Sequence, residues 1–206
     1  MIYQGINFDG INISGTTSHG RLIVSAKEDF IQLNDSLVIR NVLLNGNANR
    51  DSAYFNLLIS NTDSSISKIN IGFDMLFPGN GVTSIKVIPS LMLVDYNKWT
   101  LDSTNNLLID TSGITVNNFN FHSGDQSLTV AGKMSRNLND KIAVSFSKFN
   151  VAVINSLLKI YDTEIGGIVN GTAEVSSVYH KPAVNADLSV SQFSLFNDTL
   201  GDAKIS

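Results

Sequence analysis

Apolar and polar residues alternate along almost the whole chain from Gly20 to Ser206. The clearest example starts at Ile165, where apolar or small residues occupy every second position as far as Val175. Asn170, Thr172 and Glu174 are among the residues between them. A period of two is typical of β-strands that have one face in water and the other face dry. The sequence therefore predicts a chain of one-sided strands, and the central question is what covers their dry faces.

The alternation predicts strands at residues 20–26, 37–46, 53–60, 66–76, 82–88, 90–95, 106–110, 114–121, 126–135, 140–148, 164–178, 183–197 and 201–206. The segments between them are short and rich in Asn, Asp, Ser and Gly, the residues that favour tight turns. Short turns between consecutive amphipathic strands indicate an antiparallel meander.

One segment breaks this pattern. Val151, Ile154, Leu157, Leu158 and Tyr161 fall at helical spacing, which predicts one short helix, or a helical turn, at about 151–160. A single short helix cannot cover a sheet of about a dozen strands.

Several strands change the parity of their apolar residues partway along. Val116 and Phe119 take opposite parities, and so do Val190 and Phe193. A β-bulge accounts for such a change, because it adds one residue and bends the strand. Similar phrases recur at Asn118-Phe119, Lys148-Phe149 and Gln192-Phe193, with uneven spacing, so we expect strongly curved strands in a loose array.

The number of strands sets a scale for the fold. Strands lie about 4.8 Å apart, so thirteen strands in one sheet would extend roughly 60 Å. Open twisted sheets rarely exceed about ten strands without curling or splitting. An all-β chain of this kind must therefore curl into a trough, close into a barrel or fold into a sandwich.

Composition narrows the classes of function. The 206 residues are 43% hydrophobic and 16% charged, with net charge −4 and no cysteine. This composition is too apolar for a disordered chain. The chain also has no run of basic residues, which argues against binding to nucleic acid or to anionic lipid headgroups. Disulfides and thiolate chemistry are excluded. The sequence contains no stretch of about 18 apolar residues, so no membrane-spanning helix is predicted. Its first residues lack the pattern of a signal peptide.

No constellation of residues points to catalysis, a metal or a cofactor. His19, His122 and His180 have no partner at ligand spacing, and G-x-S-x-G is absent. The acidic residues are scattered, and turn capping explains them most simply. We therefore expect a protein that is not an enzyme. The single Trp99 is interpreted as a core or edge aromatic, with a groove-lining role as the alternative.

The second half of the chain resembles a known family. The resemblance rests on an ordered series of phrases: Trp99-Thr100-Leu101, Asn105-Asn106-Leu107-Leu108-Ile109, Gly113 to Phe119, Gln126 to Gly132, Asn150 to Leu158, Ile165 to Thr172, Lys181-Pro182-Ala183 and Leu200 to Ala203. This order resembles the TamB group of the AsmA-like family, the inner-membrane subunits of the translocation and assembly module, in the form found in Bacteroidetes-type bacteria.

The resemblance implies a fold and a function. Such proteins form long curved β-sheets folded lengthwise into a trough with an apolar lining, the β-taco, and they carry phospholipid acyl chains across the periplasm in support of outer-membrane biogenesis. It also implies an inner-membrane anchor and an outer-membrane barrel partner in the full-length protein. Residues 1–206 would then be a single interior segment, and the last strand, which starts near residue 201 and stops without closing, agrees with this.

Two other functions remain open. A structural or adhesive β-sandwich, formed by two packed sheets, would show the same alternation. A carbohydrate-active β-protein would need clustered aromatics and paired carboxylates, which the single Trp and the dispersed Asp residues do not supply.

For the trough, one parity set is predicted to line the lipid groove. Its members are apolar strand residues of the second half: Leu128, Val130, Ile142, Val144, Phe146, Ile165, Val169, Val175, Leu188 and Val190.

Overall fold

The strands form one antiparallel sheet. The computed structural model describes residues 2–3, 6–32, 38–60, 68–94, 96–155, 163–196 and 198–206. Within these ranges sixteen strands belong to one sheet, accompanied by a single 3₁₀ turn, Val151–Ile154. The strands are β1 Ile2–Tyr3, β2 Ile6–Asp9, β3 Asn12–Ser18, β4 Arg21–Gln32, β5 Val38–Ala48, β6 Ser52–Ser60, β7 Lys68–Leu76, β8 Thr83–Val94, β9 Asn97–Leu101, β10 Asn106–Asp110, β11 Gly113–Ser123, β12 Gln126–Ser135, β13 Lys141–Asn150, β14 Ile165–Ser176, β15 Ala183–Leu195 and β16 Asp198–Ile205.

The topology is a meander in which successive strands are almost always neighbours. Two positions in the sheet are each shared by a pair of short strands. β2 and β3 both pair with β4, and β9 and β10 both lie between β8 and β11. The antiparallel meander predicted from the turns is confirmed.

The strand predictions hold from β4 onward, with two exceptions. The two strands predicted at 82–88 and 90–95 are one strand, β8, with a register shift opposite Asn70 and Ile71. β9 was not predicted. Nor were β1 to β3, and β3 shows why, because it is exposed along its whole length and has no dry face to produce alternation. Positions 37, 66, 67, 95 and 197 of the predicted strands lie outside the described residues.

The helix predicted at 151–160 is not confirmed. The described positions 151–154 form the 3₁₀ turn, and the Asn150 side chain caps it by accepting a hydrogen bond from the Ala152 amide. β-Branched residues at 151, 153 and 154 have low helix propensity, and these side chains pack against the sheet instead. Positions 156–160 lie outside the described residues.

The predicted bulges are confirmed and explain the recurrent phrases. β11, β13 and β15 each shift register at a residue with positive φ: Asn118 at 55°, Lys148 at 48° and Gln192 at 54°. Each bulge residue is followed by phenylalanine. Because the bulge absorbs one residue, the apolar side chains before and after it lie on the same face.

The buried core is small for a chain of this size. Met92, Trp99, Leu101 and Phe149 form one cluster, and side chains of the 3₁₀ turn pack against it. The accessible surface is 12,533 Å², whereas a compact protein of 22.3 kDa would expose about 9,400 Å². Much of the sheet is therefore open. None of the helical structure among the described residues is long and apolar enough to cross a membrane.

Candidate functional site: the apolar face of the sheet

The register places the apolar side chains of successive strands on one face. From β9 to β16, the row of directly paired residues on this face is Leu101, Phe121, Leu128, Phe146, Gly171, Leu188 and Ile205. Cross-strand pairs of this kind are the unit of sheet stabilisation, because their side chains touch. We call this surface the apolar face.

All ten residues that the sequence singled out lie on the apolar face. Leu128 is opposite Phe146, Val130 is opposite Val144, and Ile142 is opposite Val175. Val169 and Val190 are also opposite each other and are buried, whereas the other eight are partly exposed. Leu188 pairs with Gly171, and Ile165 pairs with Leu195 beyond the Gln192 bulge. The structure therefore brings the ten together on one surface of β12 to β15.

The apolar face continues into the first half of the chain. On β5 to β7, Leu44 is opposite Leu57, which is opposite Ile71. In the next row, Phe55 is opposite Phe73, which is opposite Val87 on β8. The sequence analysis assigned no lining residues here, although the same alternation could have found them. The face therefore extends over the sheet from β4 to β16.

A glycine and an aromatic residue pack together on this face. Gly46 lies opposite Phe55, and a Cβ at position 46 would collide with the Phe55 ring. The ring thus fills the space above the glycine and keeps the surface apolar where the smallest side chain occurs.

The opposite face of the sheet carries most of the polar strand residues, together with apolar ones such as Leu43 and Leu58. It carries a Lys141–Glu174 ion pair at 2.7 Å and a hydrogen bond of 2.6 Å from the Asn56 amide to the Asn70 side chain. Ser25 likewise donates to Asn45. Amide, hydroxyl and charged side chains are therefore exposed to water on this face. The two surfaces of the sheet thus differ in character.

A side chain completes the sheet where β9 and β10 meet. Continuing the β8–β10 register places Asn105 opposite Val87. The Asn105 amide donates to the Val87 carbonyl and accepts from the Val87 amide, both at 2.8 Å, and it also donates to the Asp102 carbonyl at 2.6 Å. Asn105 is 1% exposed. Its side chain thus supplies the hydrogen bonds that an unbroken strand backbone would make.

Among the described residues, two buried side-chain polar atoms have no hydrogen-bond partner, Glu28 Oε1 and Trp99 Nε1. Both residues belong to one register row of the apolar face, which runs from Glu28 through Val42, Ile59, Ile69 and Met92 to Trp99. Trp99 is a core aromatic, as the sequence analysis favoured, and its ring centroid lies 5.9 Å from that of Phe149.

Titratable residues do not form a compact site in the part of the chain that the structure describes. No group of three or more His, Asp or Glu residues there could hold a metal ion. His122 Nε2 lies 3.6 Å from Asp102 Oδ1, and both side chains are half exposed. The pKa of Asp110 is lowered chiefly by a hydrogen bond from the Ser112 hydroxyl.

The apolar face, which continues across the described sheet from β4 to β16, is thus the candidate functional surface. None of the family models, curated proteins or solved structures compared with the chain matches it.

Proposed function

We propose that this chain is a non-enzymatic, lipid-conducting segment whose sheet curls into a trough and shields phospholipid acyl chains on the apolar face. The observation that carries the proposal is the continuity of that face. Counting β9 and β10 as one position, it crosses twelve strand positions from β4 to β16, or about 50 Å at ~4.8 Å per strand. The described strands form one sheet, with no second sheet to cover it.

The energetics favour a hydrocarbon ligand. Burying one CH₂ group is worth about 0.8 kcal/mol, so an acyl chain of ~16 carbons gains on the order of 10 kcal/mol before the costs of ordering it. One leaflet of a bilayer core is about 15 Å thick, so the face is roughly three acyl chains long. Because the lining consists of similar Val, Leu, Ile and Phe side chains, no single position binds an acyl chain much more strongly than the others. An acyl chain could therefore move along the face.

The resemblance of the second half to the TamB group supports a cellular context for this function. We place the protein in the periplasm, as an interior piece of a longer chain anchored in the inner membrane, with an outer-membrane barrel protein of the assembly module as its partner. In that setting the trough would support outer-membrane biogenesis by carrying lipid between the two membranes.

The second candidate is a structural or adhesive β-sandwich without lipid transport. Such a domain would bury its apolar faces between two packed sheets. The single sheet and the accessible surface of 12,533 Å² favour the open trough over this alternative.

Native mass spectrometry of the purified protein tests the proposal, after incubation with phospholipid vesicles. The wild-type protein should retain phospholipid. Val144→Asp should lower the retained amount severalfold, because a carboxylate in an apolar groove is costly to desolvate. Ser145→Asp is the matched control, since the next residue faces the polar side of the sheet opposite Thr129 and Thr172.

Photo-crosslinking gives a second, independent readout. A photoreactive residue at Leu188, which is partly exposed on the apolar face, should attach to lipid, whereas one at Thr172, on the polar face, should not. A protein that retains no lipid, or that crosslinks equally from both positions, overturns the proposal.

A further inference from the structure

Tyr54 is an aromatic residue on the polar face, the side of the sheet opposite the apolar face. It lies on β6 between Asn47 of β5 and Asp74 of β7, and it is 40% exposed. Its side chain leans over Gly72, the diagonal neighbour on β7, where a Cβ would lie 2.9 Å from the Tyr54 hydroxyl oxygen and 3.2 Å from Cε2. The glycine therefore allows the ring to lie down on the sheet with its outer side in water.

The Tyr54 side chain borders an open depression of about 420 Å³ that extends toward β4. Ile23, which is 44% exposed, adds an apolar surface to this depression. The polar side chains that line it are those of Arg21, Ser25, Asn45, Asn47 and Asn56. Binding sites for small ligands have volumes of roughly 300–1,000 Å³. The depression thus has the size of such a site, with apolar surface and polar groups side by side.

Two asparagines next to Tyr54 keep hydrogen-bonding groups of opposite kinds. Asn45 and Asn56 are directly paired across β5 and β6. The Asn45 oxygen accepts from the Ser25 hydroxyl at 2.7 Å, which leaves the Asn45 NH₂ group to donate. The Asn56 NH₂ group donates to the Asn70 side chain at 2.6 Å, which leaves the Asn56 oxygen to accept. The depression therefore offers a donor and an acceptor on neighbouring strands beside an aromatic ring.

These groups match the chemistry of a sugar ring. One side of a pyranose presents C–H groups, which pack against the face of an aromatic ring because that face carries partial negative charge. A hydroxyl group both donates and accepts, so neighbouring hydroxyls can satisfy an amide N–H and an amide oxygen together. A polyanion such as nucleic acid would need several cations, whereas the residues that line the depression supply Arg21 alone.

We propose that the Tyr54 depression binds a neutral saccharide, with a pyranose ring stacked on Tyr54 and two hydroxyls held by Asn45 and Asn56. The site binds the sugar without cleaving it, because the residues that line it include no pair of carboxylates for glycoside hydrolysis. It lies on the other side of the sheet from the proposed lipid surface. The inference therefore goes beyond the proposed function and does not depend on it.

Isothermal titration calorimetry with the full chain tests the site, with maltohexaose, cellohexaose and chitohexaose as the probes. The wild-type protein should bind at least one of them saturably. Tyr54→Ala should raise the dissociation constant about tenfold or more, because the stacking surface is lost, whereas Tyr54→Phe keeps the ring and should change it less than about threefold. Gly72→Ala should also weaken binding, because the added Cβ lifts the ring; Gly72 does not have a positive φ, so alanine fits its backbone.

Two controls separate this site from other effects. Tyr179→Ala removes a tyrosine that is 53% exposed in the turn after β14, and it should leave saccharide binding unchanged. Melting curves followed by circular dichroism check that lost affinity is not lost folding. A wild-type protein that binds none of the three saccharides, or an affinity that survives Tyr54→Ala, overturns the saccharide site. Neither result bears on the proposed lipid function, since Tyr54→Ala should retain phospholipid as the wild-type protein does.

Discussion

Replacing Asn105 with alanine tests how the sheet is closed between β9 and β10. Three side-chain hydrogen bonds of 2.6–2.8 Å are lost, two of them to the backbone of Val87. The Val87 N–H and C=O then lie between strands without partners. Leaving each such group unsatisfied costs about 1–3 kcal/mol, so we expect a loss of about 4 kcal/mol.

The loss is measurable by thermal denaturation. For a chain of 206 residues, 1 kcal/mol corresponds to about 2–4 °C, so the Tm of Asn105→Ala should fall by about 8–16 °C. Asn105→Asp should be at least as damaging, because it keeps the acceptor but places a carboxylate oxygen against the Val87 and Asp102 carbonyls.

The neighbouring residue provides the control. Asn106 accepts a hydrogen bond from the Ser84 hydroxyl on the polar face. Its replacement by alanine should cost about 1 kcal/mol or less, since water can take the place of the lost partner. If Asn105→Ala shifts the Tm no more than Asn106→Ala does, the side chain is not a substitute for strand backbone and the reasoning fails.

Three further predictions address the bent strands, a turn and the polar face. Gly171→Ala should destabilise the protein by about 2–4 kcal/mol in chemical denaturation, because φ is 122° there and a Cβ would collide with a β15 carbonyl; a change below about 1 kcal/mol would contradict this. Ser112→Ala should raise the pKa of Asp110 toward its ordinary value, as followed by NMR titration, since the Ser112 hydroxyl hydrogen bond is the main cause of the lowered pKa. The pKa of Asp110 is lower in the folded wild-type protein than in the unfolded chain. Its contribution to stability is therefore present above the unfolded pKa and is lost as pH falls through the folded pKa. An unchanged titration of Asp110 in Ser112→Ala would refute this cause. Glu174→Gln should change the unfolding free energy by less than about 1 kcal/mol despite the 2.7 Å ion pair with Lys141, because both side chains are substantially exposed, and a loss above about 2 kcal/mol would contradict this.

Local alternation was enough to predict most of the strands. From β4 onward nearly every predicted strand is present, because each strand has one dry face and the period of two records it directly. The same parity also placed the ten proposed lining residues on a common surface. The bulges at Asn118 and Gln192 were readable for the same reason, since a change of parity within one strand has few other causes.

Prediction failed where alternation was absent or misleading. β3 is exposed on both faces, so its sequence has no dry side to report. The short helix expected after Asn150 is not confirmed, because the described positions 151–154 form a 3₁₀ turn whose β-branched residues contact the sheet. Asn105 looked like an ordinary turn residue, because its bonds to Val87 are formed across 18 positions of the chain.

The sequence by itself determined that this protein is a series of one-sided strands, because side-chain direction along a strand depends only on local backbone geometry. Only the tertiary structure decided that those strands join in one sheet with a continuous apolar face, since register depends on pairing between distant residues. It also decided that Glu28 is buried on that face without a partner for Oε1. A charge in an alternating strand has a known parity, but its burial depends on the neighbours that the fold supplies.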